Sequence, residues 1–176
     1  MKSFLPALSV AFAVSLFAIP NIPGEVRAMS KLSIASPEFP HNGMIPSKYT
    51  CDGADVSPPL TIGSIPEGTR SLALIVNDPD APMGTWVHWL VWNLGADTKE
   101  IPENSVPRGA LQGMNDFRKQ GYGGPCPPSG THRYFFKLYA LDTVLALKAG
   151  ATKAGIEEAM KGHVLARAEW IGLYRR

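Results

Sequence analysis

The chain has 176 residues, is 45% hydrophobic and 18% charged, and carries a formal net charge of +2. That balance supports a full core and excludes global disorder, and so weak a charge bias, with no Lys/Arg run, argues against a nucleic-acid partner. The 17 glycines and 16 prolines imply many turns and few long helices, hence a β-rich domain.

The first 28 residues have the layout of a secretory signal peptide. Lys2 supplies a positive start, Phe4 to Ile19 is apolar apart from Pro6, Ser9 and Ser15, and Val26-Arg27-Ala28 places small residues where a signal peptidase cuts. The apolar stretch falls short of the roughly 20 residues of a membrane-spanning helix, so no stable membrane anchor is expected. The cleavage region has no cysteine, so a lipoprotein anchor is not indicated either. Residues 29–176 then form one domain, periplasmic or secreted. Alternatively, translation from Met29 would give a cytoplasmic form.

Along the chain, Leu32 to Phe39 begins as a short strand, and Pro40 to Asp52 is a loop. Thr61 to Pro66 is short and ends in the turn PEGT at 66–69. Ser71 to Asn77 (SLALIVN) is a continuous apolar run, as in a buried strand. DPDAP at 78–82 breaks it. Thr85 to Leu94 is a second strong strand, Gly95 to Gln120 a polar excursion of little periodicity, and Arg133 to Leu141 an aromatic-rich third strand. Thr152 to Gly162 reads as a helix, with Thr152 as its cap and Ile156, Met160 and Val164 at helical spacing. The pattern predicts helix to about Leu165, then a closing strand near Ala168 to Tyr174. There are two cysteines, Cys51 and Cys126. In an exported chain they are a disulfide candidate; the alternative is two separate buried thiols.

The chemistry gathers in two segments, Asp78 to Trp89 (DPDAPMGTWVHW) and Gly121 to Tyr134 (GYGGPCPPSGTHRY). Strand alternation places Trp86, His88, Leu90 and Trp92 on one face, and His132, Tyr134, Phe136 and Leu138 on another. Arg133 points the opposite way. Each strand thus presents a histidine at the end of an apolar face, and two imidazoles and a phenol converge if the strands share a sheet. The prolines of DPDAP stiffen a loop that could hold a carboxylate; either X-Pro bond could be cis. The glycines of GYGGPCPPSG let backbone amides approach a ligand. Imidazoles, phenol and amides are mostly donors, so the guest they suit is an oxyanion such as a phosphate ester. Asp80 suits the task of holding a histidine in one tautomer. Each residue also has a plainer role open to it: His88 and His132 as core histidines, Asp78 as a turn carboxylate, Arg133 as an ion-pair partner of an Asp in DPDAP, Tyr122 as packing.

DPDAP followed by His-Trp, and GGPCPPSGTHRY followed by an apolar strand and Leu-Asp, resemble the phosphatidylethanolamine-binding protein family, most closely its bacterial Raf-kinase-inhibitor-like branch. IPSKYTCDGADVSPPL (45–60), KLYALD (137–142) and HVLARAEWIGLYRR (163–176) fit the same branch, so the resemblance spans residues 30–176. It implies a mainly β fold, with a central antiparallel sheet packed against a smaller second sheet and one short helix in the C-terminal region. It also implies a small anion pocket lined by Asp80, His88, His132 and Tyr134, with Gly124, Pro125 and Pro127 at the rim and Arg133 as a structural arginine beside it. Eukaryotic members carry a longer C-terminal helix at the pocket mouth; the sequence to Arg176 has none. The expected function is non-enzymatic binding of a small phosphorylated or carboxylated ligand, without a cofactor, and modulation of a partner such as a kinase or protease. Two alternatives use the same residues. Asp80, His88 and His132 form the donor set of a two-His, one-carboxylate metal enzyme, although no HxH or HxD spacing supports it. Ser129 with His132 and an Asp could serve a hydrolase, although no G-x-S-x-G elbow surrounds it.

Overall fold

The computed structural model describes Met1 and residues 31–176; the expected signal peptide lies outside the described residues. In chain order the elements are β1 (Ser33–Ala35), β2 (Gly43–Met44), β3 (Leu60–Gly63), β4 (Ser71–Asp78), β5 (Trp86–Gly95), β6 (Glu100–Ile101), β7 (Leu111–Gln112), β8 (Thr131–Leu141), α1 (Lys153–Met160) and β9 (Val164–Arg175). They build a six-stranded sheet of order β2-β9-β8-β4-β5-β7 and a three-stranded sheet of order β1-β3-β6. Pairing is antiparallel except where β2 joins β9. Among the described residues no helix is long and apolar enough to cross a membrane, and no peptide bond is cis, so both X-Pro bonds of DPDAP are trans.

The large sheet is covered on both faces, which explains the unbroken apolar run of β4: all eight of its residues are buried. One face packs Leu72, Leu74, Val76, Phe136 and Leu138 against Leu60, Ile62 and Ile101 of the small sheet. The other packs Ala73, Ile75, Leu90 and Trp92 against Ile156 and Met160 of α1. Inward-facing β-branched and aromatic side chains thus set the order of layers: small sheet, large sheet, helix.

Two expectations change here. The helix stops at Met160 rather than near Leu165, and β9 begins at Val164 rather than near Ala168. Thr152 does cap the helix, its hydroxyl accepting from the Gly155 amide at 3.3 Å. Gly162, at φ 76°, turns the chain out of the helix. From there β9 pairs with β8 along its whole length, from Val164 opposite Leu141 to Arg175 opposite Thr131. The face made by Leu165, Arg167 and Glu169, poor for a core, is the exposed one; Ala166, Ala168 and Trp170 pack inward. Gly172 is required where β9 passes the loop before it, because a Cβ there would lie 2.5 Å from Ile45 Cγ1.

The second change concerns β5. Val76 lies opposite Trp89, but the next residue of β4, Asn77, lies opposite Val87. His88 is therefore the extra residue of a β-bulge, and a second irregularity follows between Leu72 and Leu74. The expected face of Trp86, His88, Leu90 and Trp92 is broken. Leu90 and Trp92 join Val87 on the helix side, whereas His88 sits edge-on to Tyr134, ring centroids 5.1 Å apart, on the side of the small sheet. Bulges re-aim side chains in this way beside functional sites.

Candidate functional site

Because β4, β5 and β8 run antiparallel, the end of β4 and the starts of β5 and β8 meet at one end of the large sheet. A cavity of about 320 Å³ opens there. Asp78, His88, His132 and Tyr134 form its polar wall. Ala81, Pro82, Met83, Trp86, Phe117, Cys126, Pro127 and Pro128 form the rest. Such a volume lies at the small end of ligand sites, roughly 300–1,000 Å³.

The two aspartates of DPDAP divide their work across β8. Asp78 is buried; its Oδ2 accepts from His132 Nδ1 at 2.7 Å, and its Oδ1 accepts from the Asp80 amide at 2.8 Å. It is both the turn carboxylate and the group that fixes the histidine tautomer. Asp80, expected in that second role, instead grips Arg133. Its Oδ2 accepts from Arg133 N and Nε at 3.0 and 2.9 Å, and its Oδ1 from Nη2 at 2.7 Å. These Arg133 bonds hold the Asp80 carboxyl below its ordinary pKa. The reason is strand alternation: His132 points in and Arg133 out, so aspartates two residues apart meet opposite faces. Arg133 is thus the expected ion-pair partner, and Asp80 is outside the cavity lining.

His88 is 3% exposed. Its Nδ1 stands 2.6 Å from the Gly123 carbonyl oxygen, and burial pushes its pKa down, which keeps the ring neutral. The bulge is secured from the 113–124 loop: Asp116 Oδ2 accepts from the Val87 amide at 2.7 Å, while Gly123 N and Asn115 Nδ2 donate to the His88 carbonyl. Phe117 stacks edge-on to both Trp86 and His88.

Tyr134 is 1% exposed, and among the described residues its hydroxyl has no hydrogen-bond partner. The Cys126 backbone amide approaches the phenol oxygen, short of full hydrogen-bond geometry, and leaves the hydroxyl hydrogen without an acceptor. Burial, reinforced by Asp78 and Asp80, pushes the phenol well above its usual pKa, so it remains a donor.

The glycine-rich segment does a different job from the one expected. Gly123 N donates to His88 O, and Gly124 N donates to Asp55 Oδ1 at 2.6 Å. Neither amide is free for an anion. Gly124 and Pro125 stand behind the cavity wall, where a Cβ on Gly124 would lie 2.7 Å from the Tyr49 carbonyl oxygen. Tyr122 does more than pack: its hydroxyl donates to that same carbonyl. Cys51 and Cys126 form a disulfide, joining this loop to the 47–53 turn and placing Cys126 in the wall. Ser129 is exposed and outside the lining. Among the described residues no three His, Cys, Asp or Glu side chains are placed to hold a metal; the Asp80, His88, His132 set does not assemble, because Asp80 faces Arg133. Phe117, Asn115 and Asp116 gave no sequence signal, lying in a segment without periodicity.

A two-sheet β domain with one small cavity at the end of its large sheet, walled by an Asp–His pair, a neutral histidine and an unpartnered phenol, defines the architecture. A profile of the phosphatidylethanolamine-binding protein family matches residues 35–175. A UPF0098 protein of Methanothermobacter thermautotrophicus is 52% identical over 150 residues, covering 82% of this chain and 99% of its own. The fold is similar to that of a phosphatidylethanolamine-binding protein homolog from Chlamydia trachomatis (TM-score 0.80, 41% identity, 84% of this chain and 99% of that one). It is also similar to YbcL from E. coli (TM-score 0.78, 33% identity, 83% and 99%). The chain belongs to the phosphatidylethanolamine-binding protein family.

Proposed function

We propose that this is a binding protein whose cavity takes a small phosphorylated or carboxylated ligand: phosphate, a phosphate ester or a phospholipid head group. The observation that carries this reading is the Tyr134 hydroxyl. A buried donor without an acceptor costs about 1–3 kcal/mol, and one carried by a residue of the cavity lining suits a ligand oxygen. The cavity volume suits a head group rather than an acyl chain, and the family's name points to the same ligand class. Binding is favoured over turnover because Ser129 lies outside the cavity and both cysteines are oxidised.

Replacing Tyr134 by Phe is expected to leave the fold intact and to weaken phosphate, acetate and phosphoethanolamine binding about tenfold or more, the worth of one hydrogen bond to a charged group. Calorimetry on both proteins measures this. Equal heats from wild type and variant, or none from wild type, would overturn the reading.

The disulfide suits an oxidising compartment, so we infer an exported protein with residues 1–28 removed. Intact mass of protein from its own host should place the mature N-terminus at about Met29. Retention of residues 1–28 on a soluble cytoplasmic protein would defeat that.

A further inference from the structure

β9 is an open edge for much of its length. On the side away from β8, its one strand partner among the described residues is β2, at Gly172 and Leu173 only. Just before that pairing, the Ile171 amide donates to His41 Nδ1 at 3.2 Å, and the Ile171 carbonyl accepts from the Asn42 amide at 2.8 Å. Ile171 thus turns both its backbone groups away from β8. In an antiparallel ladder alternate residues share that orientation, and the register is unbroken from Phe135 opposite Ile171 to Tyr139 opposite Arg167. Arg167 and Glu169 therefore direct their N–H and C=O groups to the same side, where no strand of the described residues meets them. The open stretch 165–169 spans about 17 Å.

A groove of about 1040 Å³ follows this edge, and strand alternation gives it two unlike walls. On one face, Arg167 and Glu169 stand beside Tyr139 and Lys137 of β8. On the other, Ala168 and Trp170 pack on the core cluster that holds Leu32 and Ile34 of the small-sheet side. Three cations of the lining, Lys31, Lys137 and Arg167, outnumber its one carboxylate, Glu169. Among the described residues none of these four is in an ion pair. The groove shares no lining residue with the cavity at the end of the large sheet.

We propose that this edge takes an extended acidic segment of a partner protein as an added β-strand. Its main chain bonds to Arg167 and Glu169, and its side chains alternate between the charged wall and the apolar one. Main-chain pairing supplies affinity in such a mode, and the places for alternate side chains supply selection. The segment that fits carries an acidic residue at every second position, to meet Lys137 and Arg167. Between them it carries small or aliphatic residues, to lie against Ala168 and Trp170. A second copy of this chain fits less well, because it brings the same surplus of cations to the same place. Charged side chains also keep an open edge from pairing indiscriminately.

The test uses a capped, fluorescently labelled hexapeptide of alternating valine and glutamate, titrated into the protein and followed by anisotropy. Two controls match its length: alternating valine and lysine, and the glutamate peptide with its pairing amides N-methylated. The glutamate peptide is expected to bind about tenfold or more tightly than either control, and Lys137→Glu with Arg167→Glu to reverse the charge preference. Amide exchange at Arg167 and Glu169 should slow about tenfold or more on saturation. The comparison of peptides stands on the wild-type protein alone. No binding of the glutamate peptide, equal binding of the lysine peptide, or unchanged exchange at those two amides would overturn the site. Undiminished binding of the N-methylated peptide would overturn strand addition and leave charge attraction only. Slowing of the same amides by raised protein concentration without peptide would overturn the acidic partner and make the occupant a second copy.

Discussion

Replacing Cys51 and Cys126 together by Ser is expected to lower stability by about 4 kcal/mol on the chain-entropy account of a long closed loop. The bond joins residues 75 apart in sequence, so the reduced unfolded chain regains much freedom. At this chain length the loss amounts to a fall in melting temperature of about 10 °C. Urea melts of the oxidised, reduced and double-serine proteins would measure it. The same bond also shapes the cavity. The 122–128 loop is held to the 47–55 turn by Tyr122 Oη on the Tyr49 carbonyl, Cys51 N on the Pro125 carbonyl and Gly124 N on Asp55. These bonds remain on reduction, so a native-like sheet should persist while Cys126, Pro127 and Pro128 loosen along the wall. A loss below about 1 kcal/mol would mean that those bonds, not the disulfide, hold the two segments together.

Replacing His132 by Ala is expected to cost about 3–5 kcal/mol, because it strands a buried carboxylate. The Asp78 and His132 side chains are 5% and 10% exposed, so the pair is largely shielded from solvent in the folded protein. Asp78→Asn in the His132→Ala background should recover a large part of the loss: the amide oxygen can still accept from the Asp80 amide, and no unpaired charge is buried. A double-mutant cycle followed by urea unfolding isolates this coupling. Additive losses would show that the pair contributes little as a pair. By contrast, the Asp80–Arg133 pair, with Arg133 53% exposed, lies where solvent screens it.

The sequence made the frame of the site legible and left its fine geometry open, and the division has a physical basis. β4 was readable because burial on both faces forces a continuous apolar run. β8 was readable because strict alternation places His132, Tyr134 and Phe136 inward and Arg133 outward. β5 was not: alternation assumes a regular ladder, and the bulge at His88 is held by Asp116 and Asn115, whose own segment shows no periodicity. Which aspartate serves the histidine was equally closed to inspection, since Asp78 and Asp80 are equivalent in local chemistry and differ only in which face of β8 they reach. The glycines misled for a related reason. A glycine marks close approach without saying to what, and here Gly124 approaches Tyr49 and Asp55 rather than a ligand. The end of the helix was masked because Val164 continues a helical spacing, although Gly162 turns the chain before it.

The bulge in β5 also has an evolutionary reading. It makes the site depend on a count of residues as much as on their identity. Deleting Val87 alone would let His88 take the place opposite Asn77 and restore regular pairing at that point of the ladder. The imidazole would then turn toward Ile75, Leu90 and Trp92 on the helix side. The domain would keep every side chain that touches the cavity and lose one wall of it. A one-codon deletion can thus separate this architecture from its pocket, so the spacing between DPDAP and His88 shapes the cavity wall as much as the histidine does.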